Sequence, residues 1–202
     1  LFDFVAKEEG IVMSDMEPGV PAPINVENAT AALALCLING CTEDEMRTAL
    51  KSFEGAKRRF DFYIKREDLV LMDDYAHHPD EIKASLNSVR QLFAGRHVTV
   101  VFQPHLYSRT HDLVEGFAEA LSIPDRTILL PIYPAREQPI QGVTSEWLLN
   151  MIESNDKRCV MQSELTQCLK SLKDAGKLDV VVMMGAGVDI ERLLPETVEC
   201  LG

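Results

Sequence analysis

The chain has 202 residues, 46% of them hydrophobic, which is core material enough to exclude an intrinsically disordered segment. Its 20 Lys and Arg stand against 32 Asp and Glu, and the net charge of -12 lacks the basic footprint of a nucleic-acid binder, so any anion site must be local. The five cysteines (Cys36, Cys41, Cys159, Cys168, Cys200) form no C-x-x-C pair, and no apolar run reaches the roughly 18 residues of a membrane span or follows a basic region as a signal peptide would; the reading is a cytosolic protein with free, packed thiols.

Leu1-Phe2-Asp3-Phe4-Val5-Ala6 alternates as a strand would and lacks an initiator Met, which suggests a piece of a longer protein. Two short strands are expected over 2–7 and 10–16, with Gly10 near their turn and Pro18-Gly19 closing the second. From Asn25 an Ala- and Leu-rich stretch with a broad apolar face predicts a buried helix ending near Gly40. Thr42-Glu43-Asp44-Glu45 has the spacing of a capping box and opens a second helix to about Phe53.

After the basic junction Gly55-Ala56-Lys57-Arg58-Arg59 the pattern changes to strands alternating with helices. Strands are expected over 60–65, 69–73, 97–102, 127–132, 158–162 and 179–184, and helices over 79–93, 109–121, 144–153 and 163–175. The helix over 79–93 has Pro79 in its first turn, Asp80 and Glu81 at its positive end and Gly95 past its stop. Strands as apolar as Val180-Val181-Val182-Met183-Met184 mean a mostly parallel sheet covered on both faces, an α/β fold.

The run Asp73-Asp74-Tyr75-Ala76-His77-His78-Pro79 ends one such strand, and Gln103-Pro104-His105-Leu106-Tyr107-Ser108-Arg109-Thr110 ends the next. In a parallel sheet these turns share one edge, the edge where open α/β sheets bind ligands. A third strand leads to Tyr133-Pro134-Ala135-Arg136-Glu137, and Gly185-Ala186-Gly187 leaves room for a ligand or another loop to come close. The set mixes cations and donors suited to carboxylate or phosphate with one well-placed acid. Plainer readings stand beside it: His77-His78 as a cap or packing pair, Arg109 pairing with Asp112 or Glu115 on its own helix, and Lys57-Arg58-Arg59 as a solvated charge run.

Residues 55–60, 73–79, 101–110 and 132–139 resemble segments of the bacterial Mur ligases, and the resemblance runs along essentially the whole chain. It implies a three-domain enzyme in which the central domain carries an ATP phosphate loop and a C-terminal Rossmann-like domain closes over it with the incoming amino acid. No G-x-x-x-x-G-K-[ST] segment stands here. Residues 1–57 are therefore expected to be an α+β remnant, the C-terminal part of the ATP-binding domain, and 58–202 the whole C-terminal domain. The branch of the family that matches best uses ATP and magnesium to join L-alanine to UDP-N-acetylmuramate through an acyl phosphate, in peptidoglycan precursor synthesis. A recycling branch that attaches a tripeptide is the near alternative, and a non-catalytic flavodoxin-like binding module the distant one. This chain alone is expected to be inactive.

By resemblance, Asn25 and Asn28 fall near the adenine, and Arg59 and Asp74 meet ATP when the domains close. Tyr75, His77, His105 and Arg109 line the pocket for the amino acid and the reacting carboxylate, with Asp74, His77 and His105 the catalytic candidates; no metal ligand is assigned to this chain. Ile24 stands where the family usually has His, and Leu106 where a basic residue often follows the histidine. Physically, Arg109 can hold a carboxylate with both arms of its fork, and His105 can orient that carboxylate or the acyl phosphate.

Overall fold

The computed structural model describes residues 1–20 and 22–202. The chain divides into two compact units, Leu1–Lys57 and Arg58–Gly202.

In the first unit, β1 (Phe2–Ala6) and β2 (Ile11–Met16) form an antiparallel hairpin. Phe4 and Met13 share one face, and a register shift between Met13 and Met16, where Asp15 takes φ 56°, brings Met16 to it as well; there they meet Leu33 of α1 (Pro23–Ile38) and Met46 of α2 (Glu43–Ser52). Pro23 sets φ for the first turn of α1, so the helix starts two residues ahead of Asn25. The expectation of a buried helix is corrected: Ala29 and Leu33 are its buried residues, while Leu35 and Ile38 are 63% and 80% exposed. One hairpin and one short helix cannot cover a helix that is apolar on more than one side. The capping box of α2 forms as expected, with the Thr42 N–H donating to Glu45 Oε2 (2.8 Å) and the Glu45 N–H to Thr42 Oγ1 (3.4 Å).

The second unit holds β3 (Asp61–Lys65), β4 (Val70–Asp74), α3 (Pro79–Leu92), β5 (Val98–Phe102), α4 (Tyr107–Asp112), α5 (Val114–Leu121), β6 (Arg126–Leu129), α6 (Ser145–Met151), β7 (Lys157–Cys159), α7 (Gln162–Asp174), β8 (Val180–Met184) and α8 (Val188–Leu201). Its sheet runs β3-β4-β8-β5-β6-β7, with β3 antiparallel to β4 and every other pairing parallel. The expected mostly parallel α/β sheet is thus borne out. Leu71, Val101, Ile128, Val181 and Met183 pack with Leu165 and Leu169 of α7 and Ile190 and Leu194 of α8. The period of two sends Val70, Met72, Val100, Phe102 and Val182 to the other face. There α3 and α5 bury Ile82, Leu86, Val89, Phe117 and Leu121, and Phe102 meets Phe117 at 5.7 Å between ring centroids.

Several expected boundaries move. The strand over 127–132 stops at Leu129, since Pro131 has no N–H to give a ladder. The helix over 109–121 is two helices, α4 and α5, that meet at Leu113 with φ -115° and ψ 20°. The strand over 158–162 ends at Cys159, and α7 starts at Gln162. After Gly187, where no helix is expected, α8 forms with Pro195 inside it.

Candidate active site at the sheet edge

The parallel register sets Asp74 level with Met184, and Met184 and Leu129 level with Phe102, so the turns after β4, β8, β5 and β6 leave one edge of the sheet. β8 lies between β4 and β5, yet the turns after those two strands meet: the rings of His77 and His105 stand edge-on with centroids 6.4 Å apart.

Asp73 and Asp74 point to opposite faces of the sheet because neighbours on a strand alternate. Asp74 faces α3, where its Oδ2 accepts from Ser85 Oγ (2.7 Å) and its Oδ1 from the Ala76 N–H (3.0 Å). Burial pushes its carboxyl above the ordinary value; the bonds from Ser85 and Ala76 oppose that rise and the neighbouring Asp73 adds to it. Asp73 has no exposed surface, and its Oδ2 accepts from Arg58 Nε at 2.9 Å while Oδ1 has no partner. Burial raises this acid too, against the pull of the Arg58 guanidinium. The reading of Lys57-Arg58-Arg59 as a solvated run is therefore corrected at Arg58, which is 9% exposed. Arg59 is exposed, and its charge lowers both Asp74 and Glu81.

The Glu81 carboxylate accepts from the N–H groups of His77 (3.1 Å) and His78 (3.2 Å), which ties down the first turn of α3. Burial pushes Glu81 up, but these bonds and the His77 charge outweigh it and hold the group below its ordinary value. His77 Nδ1 lies 3.0 Å from the Tyr75 carbonyl oxygen, and the Tyr75 ring stands edge-on to it at 5.2 Å.

Across the edge, His105 bridges Tyr133 and stacks on its ring at 5.5 Å with 25° between planes. The Leu106 N–H donates to the Tyr133 carbonyl (2.9 Å), and Leu106 takes φ 72°, a left-handed conformation that is costly for a branched side chain and turns the chain into α4. Glu137 accepts from Ser108 N–H (3.0 Å) and Oγ (2.5 Å), and these bonds hold its carboxyl below the ordinary value. His105 is held below its ordinary value by burial, then by the charges of Arg109 and His77. Its Nδ1 and the Nη1 of Arg109 are buried without a partner. Among the described residues Arg109 forms no ion pair with Asp112 or Glu115, so the plain helix-surface reading of that arginine does not hold.

The Gly185-Ala186-Gly187 turn is filled by another loop. A Cβ on Gly185 would meet the Gln103 carbonyl oxygen at 2.8 Å, and one on Gly187 the Gln103 Oε1 at 2.2 Å. Gln103 in turn donates to Asp189 Oδ2 (2.8 Å) and the Pro131 carbonyl (3.3 Å).

Tyr75, His77 and His105 are thus in ring contact, Arg109 adjoins His105, and Asp74 and Arg59 belong to the β4 side of the same edge. Asn25 and Asn28 lie on α1 in the first unit, Asn25 Nδ2 donating to the Val20 carbonyl at 3.4 Å and Asn28 exposed. Sequence reasoning missed Arg58, Gln103 and Glu137. The signal for the first was the Asp73-Asp74 pair, since two neighbouring acids at the end of an apolar strand face opposite sides of the sheet and the buried one on the far side needs a partner of its own. No three His, Cys, Asp or Glu side chains converge as metal ligands among the described residues.

An unpartnered buried guanidinium nitrogen beside a largely neutral imidazole, on an edge with an exposed arginine, suits small carboxylate and phosphate groups. The fold is an α/β domain of the open-sheet kind, with these side chains gathered at the edge where such sheets bind ligands. The family described as Mur ligase, glutamate ligase domain, matches residues 58–187. UDP-N-acetylmuramate–L-alanine ligase of Parabacteroides distasonis is 46% identical over 99% of this chain and 42% of its own length. The enzyme of the same name from Porphyromonas gingivalis strain W83 is 47% identical over 90% of this chain and 39% of its own. The crystal structure of UDP-N-acetylmuramate-alanine ligase from Thermotoga maritima aligns with a TM-score of 0.71 and 26% identity, over 89% of this chain and 38% of that one. The chain belongs to the Mur ligase family. It spans about two fifths of the length of the curated relatives it matches.

Proposed function

We propose that this chain is the C-terminal part of an ATP-dependent ligase that joins L-alanine to UDP-N-acetylmuramate in the bacterial cytoplasm. Residues 1–57 are the tail of its central, ATP-binding domain and 58–202 its C-terminal domain. The observation that carries the reading is the pair of buried, unpartnered polar atoms, His105 Nδ1 on the turn that faces His77 and Arg109 Nη1 on α4, which follows it. Relatives whose names specify alanine and UDP-N-acetylmuramate support it. The exposed Val5, Val12, Leu35 and Ile38 support the reading of the first unit as a piece of a larger domain.

In this reading ATP, with magnesium held mainly outside this chain, supplies the phosphoryl group that gives the muramoyl carboxylate a leaving group. Arg109 binds the alanine carboxylate through its free Nη1 and so orients the amine. His105, kept neutral by burial and by Arg109, lies where it orients that carboxylate or steadies the reacting acyl group. His77 and Tyr75 complete the wall of the pocket. Arg59, exposed beside Asp74, reaches phosphate oxygens, and Asp74 meets the nucleotide; since both Asp74 oxygens are engaged by Ser85 and Ala76, its contact is through a remaining lone pair or follows a local shift. Asn25 and Asn28 serve the adenine side.

The test is phosphate release from ATP by the full-length protein, supplied with UDP-N-acetylmuramate and, in turn, alanine, serine, glycine and a tripeptide. The reading expects release that depends on alanine; release that needs the tripeptide assigns the recycling reaction, and no release with any amine refutes ligase activity.

A further inference from the structure

None of the chemistry above falls to Arg58, yet its contacts tie three strands together at the sheet edge. Its Nε donates to Asp73 at the end of β4 (2.9 Å) and its Nη2 to the Gly185 carbonyl just after β8 (2.6 Å). Its own N–H donates to Asp61 Oδ2 on β3 (3.1 Å), and its carbonyl accepts from the Tyr75 N–H (2.7 Å). The guanidinium carbon also stands 5.1 Å from the centre of the Tyr75 ring. Arg58 makes these contacts with φ 60°, a left-handed conformation that an arginine adopts only where its surroundings over-determine it.

We propose that Arg58 is a positioning residue for the amine-substrate pocket, holding the turn that carries Tyr75 and His77 while Asp73 holds its guanidinium. The proposal rests on the reading of that turn as one wall of the alanine pocket. Neutralising Asp73 needs only a positive charge, which a lysine has. The fork, however, is used at two angles at once, toward Asp73 and toward the Gly185 carbonyl, and its face covers the Tyr75 ring. The direction of the effect follows from alternation along β4. Asp73 and Asp74 face opposite sides of the sheet, so Arg58 acts on Tyr75 by direct contact and makes no hydrogen bond to Asp74. Losing the fork should therefore disturb the amino acid and spare the nucleotide.

The experiment pairs two readouts on Arg58→Lys: hydrogen exchange of the Tyr75 amide in the 202-residue chain, and the Michaelis constants for alanine and ATP in the full-length protein. Loss of roughly one hydrogen bond's worth of restraint predicts Tyr75 amide exchange about five- to tenfold faster. The same restraint predicts a Michaelis constant for alanine about five- to tenfold higher, with that for ATP changed less than about twofold. If the lysine variant does not fold, the double variant Arg58→Met, Asp73→Leu replaces the buried pair by apolar groups and carries the same readouts and expectations. Unchanged Tyr75 exchange, or Michaelis constants for alanine and ATP that rise together, would overturn the proposal. Failure of the unsubstituted full-length protein to use alanine would instead defeat the functional reading, and the exchange result would still decide what Arg58 does to Tyr75.

Discussion

Arg109 carries the sharpest prediction for a single residue. A guanidinium whose Nη1 is buried without a partner is costly unless a ligand completes it, and hydrogen bonds to charged groups contribute roughly 1.5 to 3 kcal/mol. Arg109→Lys in the full-length protein should raise the Michaelis constant for alanine by about ten- to a hundredfold and leave that for ATP nearly unchanged. Equal shifts of both would mean that Arg109 supports α4 or an interface. His105 gives a pH dependence. It titrates below its ordinary value of 6.5 when folded, so between the two values the unfolded chain binds the extra proton. The stability that neutral His105 contributes above the ordinary value is lost as the pH falls through the folded one. The drop in melting temperature from about pH 7.5 to about pH 5.5 should be smaller in His105→Asn than in the unsubstituted chain. Asp73 and Asp74, whose raised values act in the opposite sense, are common to both proteins, so an equal drop would place the acid-sensitive group elsewhere. At this scale two strand-ending strings pointed to His77, His105 and Arg109 as neighbours, and the structure brings them together at one sheet edge. Charge pattern alone did not tell Arg58 from Arg59, and only the resemblance singled out the second; adjacent residues of one charge look alike until a left-handed φ sends one of them inward.

The turn after β8 shows how a close approach of elements constrains sequence. Gly185 has φ 139°, a region that residues with a Cβ rarely enter, and its missing side chain is what lets the Gln103 backbone sit beside it. Gly185→Ala should destabilise the chain by about 1 to 3 kcal/mol, from backbone strain and from the contact with the Gln103 carbonyl. Urea unfolding measures this, and a loss below about 0.5 kcal/mol would mean that the turn relaxes freely. Elements with strong local signals were legible from sequence. The capping box of α2, the Pro79 start of α3 and the fully buried β4, β5 and β8 stand within one or two residues of expectation. What was not legible depended on long-range contacts. The α4–α5 break at Leu113 has no Gly or Pro to announce it, and α8 carries Pro195 inside its pattern. The placing of β8 between β4 and β5 is a matter of strand order, which no local pattern encodes.

For the molecule as a whole, the two units differ in how fully they cover their apolar side chains. The second buries both faces of its sheet under helices, whereas the first leaves Leu35, Ile38, Val5 and Val12 exposed. The sequence made α1 read as buried because its composition suits more neighbours than the described residues of its unit provide. With no phosphate loop in its sequence, the 202-residue chain should release no phosphate from ATP and form no amide under any of the conditions above. Amine choice is decided by offering the full-length protein ATP, magnesium, UDP-N-acetylmuramate and equal concentrations of alanine and the tripeptide, with products identified by mass spectrometry. The alanine adduct should be the dominant product, formed only when ATP is present; a dominant tripeptide adduct, or no adduct at all, would rule out an alanine-adding ligase.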